Sequence, residues 1–207
     1  MSSENENTWK GSPEVWIGAA IEIFLESGID AVKIATVAKR LKLSRTSFYW
    51  FFKDRDVLLQ ALLNYWKDKN TGGMIKQSEA YADSLAEAAL NIFDCWLDKD
   101  LFDARLEFAI RSWALNSEEI RQEVHDADQQ RLSALTEMFK RYDFNDIEAD
   151  VRSRTIYLVQ IGYITMQSKE SKNTRMLRIA EYIKTFTGTL PQQHELQRFY
   201  HRHNYIE

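Results

Sequence analysis

The stretch Ser44-Arg45-Thr46-Ser47-Phe48-Tyr49-Trp50-Phe51-Phe52 decides how the chain folds. Ser44 is a good N-cap, with an oxygen that can accept a free amide proton at a helix start. On a helix at about 100° per residue, Phe48 and Phe51 share one face with Phe52 at its margin. Thr46, Tyr49 and Trp50 then point the opposite way, flanked by Arg45 and Ser47. Outward helix positions usually carry Glu, Lys, Gln or Ala. A guanidinium, hydroxyls, a phenol and an indole presented together read as a surface that touches something. The alternative is that Tyr49 and Trp50 cover core elsewhere, since Trp and Tyr are often largely buried.

Just upstream, Ile34, Val37, Ala38 and Leu41 recur at i, i+3, i+4 and i+7, the stripe of a second short helix. Only Lys42 and Leu43 separate it from Ser44. Two short helices joined by a tight turn, the second with polar and aromatic groups outward, describe a helix-turn-helix. The second helix of that motif enters the DNA major groove. Local charge agrees. Between Gly28 and Asp56, seven Lys/Arg face three Asp, a net +4 on a chain whose total is −4. A cationic patch on an acidic protein is the footprint expected for phosphate binding.

The run from Trp16 to Trp66 resembles the DNA-binding domain of the tetracycline-repressor (TetR) family of bacterial transcriptional regulators. The resemblance is carried by Ala19-Ala20-Ile21-Glu22-Ile23-Phe24, by Ser27-Gly28-Ile29-Asp30-Ala31 and by Val37-Ala38-Lys39-Arg40-Leu41. It continues through Leu43-Ser44-Arg45-Thr46-Ser47-Phe48-Tyr49-Trp50-Phe51-Phe52-Lys53-Asp54-Arg55 to Leu58-Leu59. The family usually has His where this chain has Phe51, and often Ser or Thr where it has Lys33. From facing and motif position together, the expected DNA-binding residues are Lys33, Ser44, Arg45, Thr46, Ser47, Tyr49, Trp50 and Lys53. Arg45 would read a guanine edge. Thr46 and Ser47 would meet bases or adjoining backbone. Tyr49, Trp50, Lys53 and Lys33 would hold phosphate and sugar.

Outward from this head, 207 residues suffice for one or two domains with a real core. Seven Gly, two Pro and helical spacing of apolar residues throughout predict an all-α chain of about nine helices. The expected division is a helix-turn-helix head over 1–60 and a helical body over 61–207. The first twelve residues are polar, so no secretory signal is expected, and residues 1–11 read as a loose tail. No run of about 18 apolar residues predicts a membrane span. One Cys excludes an internal disulfide framework and fits a reducing cytoplasm. Cys95 itself falls on an apolar stripe and reads as a small core residue.

Ser12-Pro13-Glu14 starts a first helix that Gly28 stops. A fourth helix runs from about Asp56 to Asn70, where Thr71-Gly72-Gly73 breaks it. In the family this helix joins head to body. The body then shows a stripe from Tyr81 to Leu97, a short helix through Trp113 and a long one from Ser117 to Tyr142. Two more follow, over 146–167 and up to Pro191, with a short helical tail beyond.

Two features of the body bear on function. The segments Ile156-Tyr157-Leu158-Val159 and Ile161-Gly162-Tyr163-Ile164 are apolar on almost every side, and such a helix is buried all round. A monomer core would satisfy that. The resemblance instead implies a homodimer through helices over about 146–187, which the spacing of operator half-sites also needs. Secondly, the body is rich in aromatic residues. The resemblance implies a small-molecule effector pocket, for which Phe93, Trp96, Phe102, Phe108, Trp113 and Gln160 are the candidate lining. Arg105, Glu107 and Arg111 are further polar candidates. Aromatics at helical spacing also serve simply as core.

No metal set is expected from the four His, and no G-x-S-x-G, P-loop, G-x-G-x-x-G or zinc spacing is present. No catalytic residue or cofactor is therefore predicted. The sequence reads as a cytoplasmic, homodimeric regulator of TetR type binding a palindromic duplex operator, most simply as a repressor. A helical ligand carrier or enzyme, and a protein-interaction adaptor docking through Tyr49 and Trp50, are the alternatives. Salt-dependent duplex binding separates them.

Overall fold

A computed structural model describes residues 11–206; of the tail expected over 1–11, residues 1–10 lie outside the described residues. The described residues are helical, with no strand among them, and divide between Tyr65 and Trp66 into two compact units. Leu58, Leu62 and Leu63 of the fourth helix, all within the first unit, are buried.

The head contains α1 (Pro13–Ser27), a 3-10 turn (Ile29–Ala31), α2 (Ile34–Leu41), α3 (Arg45–Phe48) and most of α4 (Arg55–Trp66). Pro13 opens α1, where its missing N–H is no loss. Ser12 sits at the N-cap without capping the backbone; its hydroxyl meets the Glu14 carboxyl instead. Gly28, at φ +80°, closes α1 through its N–H to the Phe24 carbonyl. Trp16, Ala20, Val37, Phe48, Leu58 and Leu62 make the core. Arg55 stitches it from below, donating from Nε to the Val32 carbonyl at 2.6 Å and from Nη2 to that of Ile29 at 2.8 Å.

The body begins with a π turn over Lys67–Thr71 and continues as α5 (Gly72–Glu79), α6 (Leu85–Leu97), α7 (Ala104–Ala114) and α8 (Glu118–Lys140). It ends with α9 (Asp146–Thr165), α10 (Lys172–Thr187) and α11 (Gln193–Arg202). Gly72 and Gly73 do not break the chain; they open α5. A Cβ on Gly73 would stand 2.2 Å from the Leu101 carbonyl oxygen, so that position needs glycine for close approach. Side chains cap most starts: Ser84 for α6, Asp103 for α7, Ser117 for α8, Asn145 for α9 and Ser171 for α10.

The helix buried on every side is α6, not α9. Every residue from Leu85 to Trp96 is buried, with α5, α10 and α11 against it. Tyr81, expected to start that stripe, is exposed ahead of the helix. The tail helix α11 is docked by polar contacts. Arg198 reaches Glu87 and Asp83, Arg202 and His203 both reach Asp94, and Ser84 donates to Glu195 at 2.6 Å.

Candidate nucleic-acid interface

The recognition segment is shorter than its periodicity predicts. Ser44 caps it as expected, its hydroxyl accepting from the Ser47 N–H at 3.1 Å. The α-helix then spans one turn, Arg45–Phe48, and tightens: the Trp50 N–H donates to the Ser47 carbonyl and that of Phe51 to Phe48. Such i→i−3 bonds advance the chain faster around the axis. The Phe52 N–H closes on the same Phe48 carbonyl at 3.0 Å, and this i→i−4 bond sets Phe52 beside Phe48 in the core, at 5.5 Å between ring centroids, while Phe51 is left half-buried. Trp16 meets Phe48 edge-on at 5.4 Å. The inner face is thus pinned by three rings.

The outer face carries Arg45, Thr46, Tyr49 and Trp50, all exposed, with Tyr49 at 59% and Trp50 at 66%. Ser44 and Lys53 are exposed beside them. Ser47 corrects the sequence expectation: only 8% exposed, it lies under the face, its hydroxyl 3.0 Å from that of Ser44. One helical turn places it on the same side as the cap.

The surrounding cations divide. Arg55 is committed inward, and Arg40 is engaged by Glu26 at 2.9 Å and by Glu22. Lys33, Lys39, Lys42, Arg45 and Lys53 remain exposed. Lys33 occupies the N-cap position of α2 but makes no side-chain cap. Lys42 turns the chain between α2 and α3 in the left-handed region, φ 55° and ψ 34°. A non-glycine residue held there costs about 1–2 kcal/mol.

In the body, the aromatic candidates are dispersed rather than gathered. Phe93 and Gln160 line a crevice with Tyr163, Glu170, Arg175 and Tyr182. Trp96 packs edge-on against Phe93 at 5.1 Å between centroids, with its carbonyl accepting from Arg175. Phe102 is core beneath the Arg131 guanidinium, and Phe108 and Trp113 are half-buried on α7. The crevice is lined from α6, α9 and α10, which is why the α7 positions fall outside it.

Of the further polar candidates, Arg105 is exposed, whereas Glu107 and Arg111 belong to a buried ion network. Arg131, fully buried, donates to Glu107 at 2.7 Å, to Thr71 at 2.9 Å and to the Tyr157 hydroxyl at 3.0 Å. Trp66 and Asn70 donate to Glu107, and Arg111 bridges it to Asp128. Burial alone would raise the Glu107 carboxyl, but Arg131 and Arg111 reverse it and hold it at about 2. Arg131 was not singled out from sequence; a charged residue at a core position of α8 was its only signal. Burial, with help from Asp94, pushes the Cys95 thiol up to about 12, leaving a packed and unreactive residue. Among the described residues no group of His, Cys, Asp and Glu could hold a metal ion. No described helix is long and apolar enough to cross a membrane.

A cationic face on a pinned two-helix turn defines a helix-turn-helix protein, and comparison with known proteins agrees. Residues 17–62 match the family model of bacterial regulatory proteins, tetR family. The chain is 32% identical over 60 residues to the HTH-type transcriptional regulator YuxN of Bacillus subtilis, covering 29% of this chain and 21% of that protein. It is 30% identical over 76 residues to the class G tetracycline repressor of Vibrio anguillarum, covering 36% of each. The chain thus matches about a fifth and about a third of these curated relatives' lengths. Salmonella enterica GusR shares the fold at a TM-score of 0.66 and 15% identity, over 91% of this chain and 99% of that one. The similarity to the tetR family thus lies in the head, over residues 17–62.

Proposed function

We propose that the chain is a DNA-binding transcriptional regulator, most simply a repressor, that grips a palindromic operator as a homodimer in the cytoplasm and answers to a small molecule in its body. The observation that carries this is the outward face of the α3 turn, where Arg45, Thr46, Tyr49 and Trp50 stand exposed over a rigid ring-packed base. Arg45 is the base reader, its fork suited to a guanine edge. Thr46 meets bases or adjoining backbone. Tyr49, Trp50, Lys53 and Lys33 hold phosphate and sugar, which fixes register without reading sequence. Ser44 and Ser47 shape the turn.

Residues 61–207 are the dimerisation and effector unit in this reading. The α9–α10 pair leaves Ile147, Val151, Leu158, Met166 and Leu177 exposed, a large apolar area for a lone chain. A Cβ on Gly162 would meet nothing within 4 Å, so that part of α9 has room for another helix. This favours the dimer over a monomer in which α9 is the central core. The test is selection of bound sequences from random duplexes, followed by anisotropy titrations across salt. Enrichment of a palindrome, with affinity falling steeply as salt rises, is the expected result. Equal, salt-insensitive binding of selected and unselected duplexes refutes it and favours the enzyme or adaptor readings.

A further inference from the structure

We propose that the crevice between α6, α9 and α10 is a binding site for a small amphipathic carboxylate, whose head is held by Arg175 and Gln160 and whose apolar part lies against Phe93, Tyr163 and Tyr182. The proposal rests on reading the body as an effector unit and specifies the effector's chemistry.

Gln160 is the first reason. It is only 4% exposed, yet its amide has no hydrogen bond within the chain among the described residues, and what remains accessible of it opens on the crevice. Its amide atoms are open to solvent rather than sealed, so a ligand can replace the water that serves them. Arg175 is the second. Of its five N–H donors, one is given to the Trp96 carbonyl at 3.0 Å, and no carboxylate stands within ion-pair distance among the described residues. Glu170 lines the same crevice but is bonded to Arg178. Burial pulls the Arg175 guanidinium below its ordinary range, and Glu170 offsets this only in part. The charge is therefore half-dehydrated and short of an anion.

The phenols supply a third group. The Tyr163 and Tyr182 hydroxyls lie 2.7 Å apart, so one donates to the other and one proton is left over. One fork, one amide and one phenol proton match the two oxygens of a single carboxylate. The walls are aromatic: Tyr182 and Phe93 stand 6.3 Å apart between centroids. The space is about 280 Å³ only when the open mouth is counted, so the crevice is a shallow seat rather than an enclosed cavity. Its inner end takes about one water-sized group, the place of the carboxylate, so the tail lies toward the mouth.

The test is calorimetric titration of the full chain with phenylacetate, 3-phenylpropionate and octanoate, each paired with its primary amide. The acids should bind at least about tenfold more tightly than the amides. Arg175→Met should abolish that preference while leaving amide affinity unchanged. Gln160→Leu should weaken both series. Lys184→Met, one charge removed from the same helix, should leave the preference within about twofold. If Arg175→Met fails to fold by circular dichroism, Arg175→Lys, which keeps the charge and loses the fork, should cut the preference severalfold. Equal binding of acids and amides, a preference that survives Arg175→Met or Arg175→Lys, or no heat with any probe overturns the site. Duplex titrations on the same preparations keep the two readings apart. Intact salt-dependent DNA binding beside a failed crevice refutes the crevice alone; acid-selective binding without duplex affinity refutes the regulator.

Discussion

Arg45 and Arg55 stand ten positions apart and have opposite fates. Arg45 is exposed on the outward face, while Arg55 spends its donors on the carbonyls of Val32 and Ile29. Charge counting treats them alike; only the folded chain separates reader from rivet. Arg45→Ala should cost about 1–3 kcal/mol of operator affinity and relax preference at one base pair. Lys53→Ala, by contrast, should weaken all duplexes alike and lower the salt slope by about one unit. Anisotropy on selected and scrambled duplexes distinguishes them, and unaltered preference in Arg45→Ala removes its reading role. Glu107 is the residue whose loss the body should feel most. Removing its charge strands Arg131 in the core, so Glu107→Gln should cost about 3–5 kcal/mol in urea unfolding at neutral pH. The carboxyl is depressed from its ordinary 4.5 to about 2, so the unfolded chain takes up the proton first as pH falls. The stabilisation is complete above about 4.5 and drains away toward about 2, and the gap between wild type and variant should close over that window. A gap that persists unchanged at the acid end contradicts this.

At the scale of elements, periodicity located nearly every helix and misjudged the ones whose geometry tertiary contacts set. The apolar stripe of α2 and the cap at Ser44 are local signals and were legible. The tightening after Phe48 was not, because the sequence pattern fits two turns of helix equally well; what draws Phe52 inward is Phe48 itself. Likewise Gly72-Gly73 looks like a stop, whereas the demand for glycine comes from Leu101, far along the chain. The two glycines should therefore answer differently. Alanine in a helix gains about 1 kcal/mol over glycine. At Gly72 an added Cβ has no neighbour nearer than the Lys67 carbonyl at 4.0 Å, so Gly72→Ala should stabilise by up to about that amount. At Gly73 the 2.2 Å approach to the Leu101 oxygen forces backbone apart, and overpacking of about 1–3 kcal/mol outweighs the gain. Thermal melts of the two variants should move in opposite directions; parallel shifts would show that the α5–Leu101 approach is looser than it stands here. The crevice was half legible. Phe93 and Gln160 carried aromatic and polar signals, but Arg175 looked like any surface cation until α6 closed over it.

For the whole molecule, the decisive quantity is how much apolar surface a single chain leaves uncovered. The core of the body is complete without α9's outer side: α6 fills it, and α11 seals it through Arg198, Arg202 and His203. Leu158 at 58% and Leu177 at 66% exposed are then unemployed within one chain. Burying such side chains gains about 1.5–3 kcal/mol each. A two-fold interface counts every such position twice, once from each copy. Replacing both with Asp should therefore remove the gain and add carboxylates that cannot be dehydrated together. Sedimentation of Leu158→Asp/Leu177→Asp is expected to show a monomer with undiminished helicity, since both positions lie off the intrachain core. Operator affinity should fall by more than about tenfold, because one head then contacts one half-site, while the weak affinity for a single half-site duplex stays as in wild type. A variant that remains dimeric would place the interface elsewhere. One that is monomeric yet binds the full operator undiminished would show that the heads act singly.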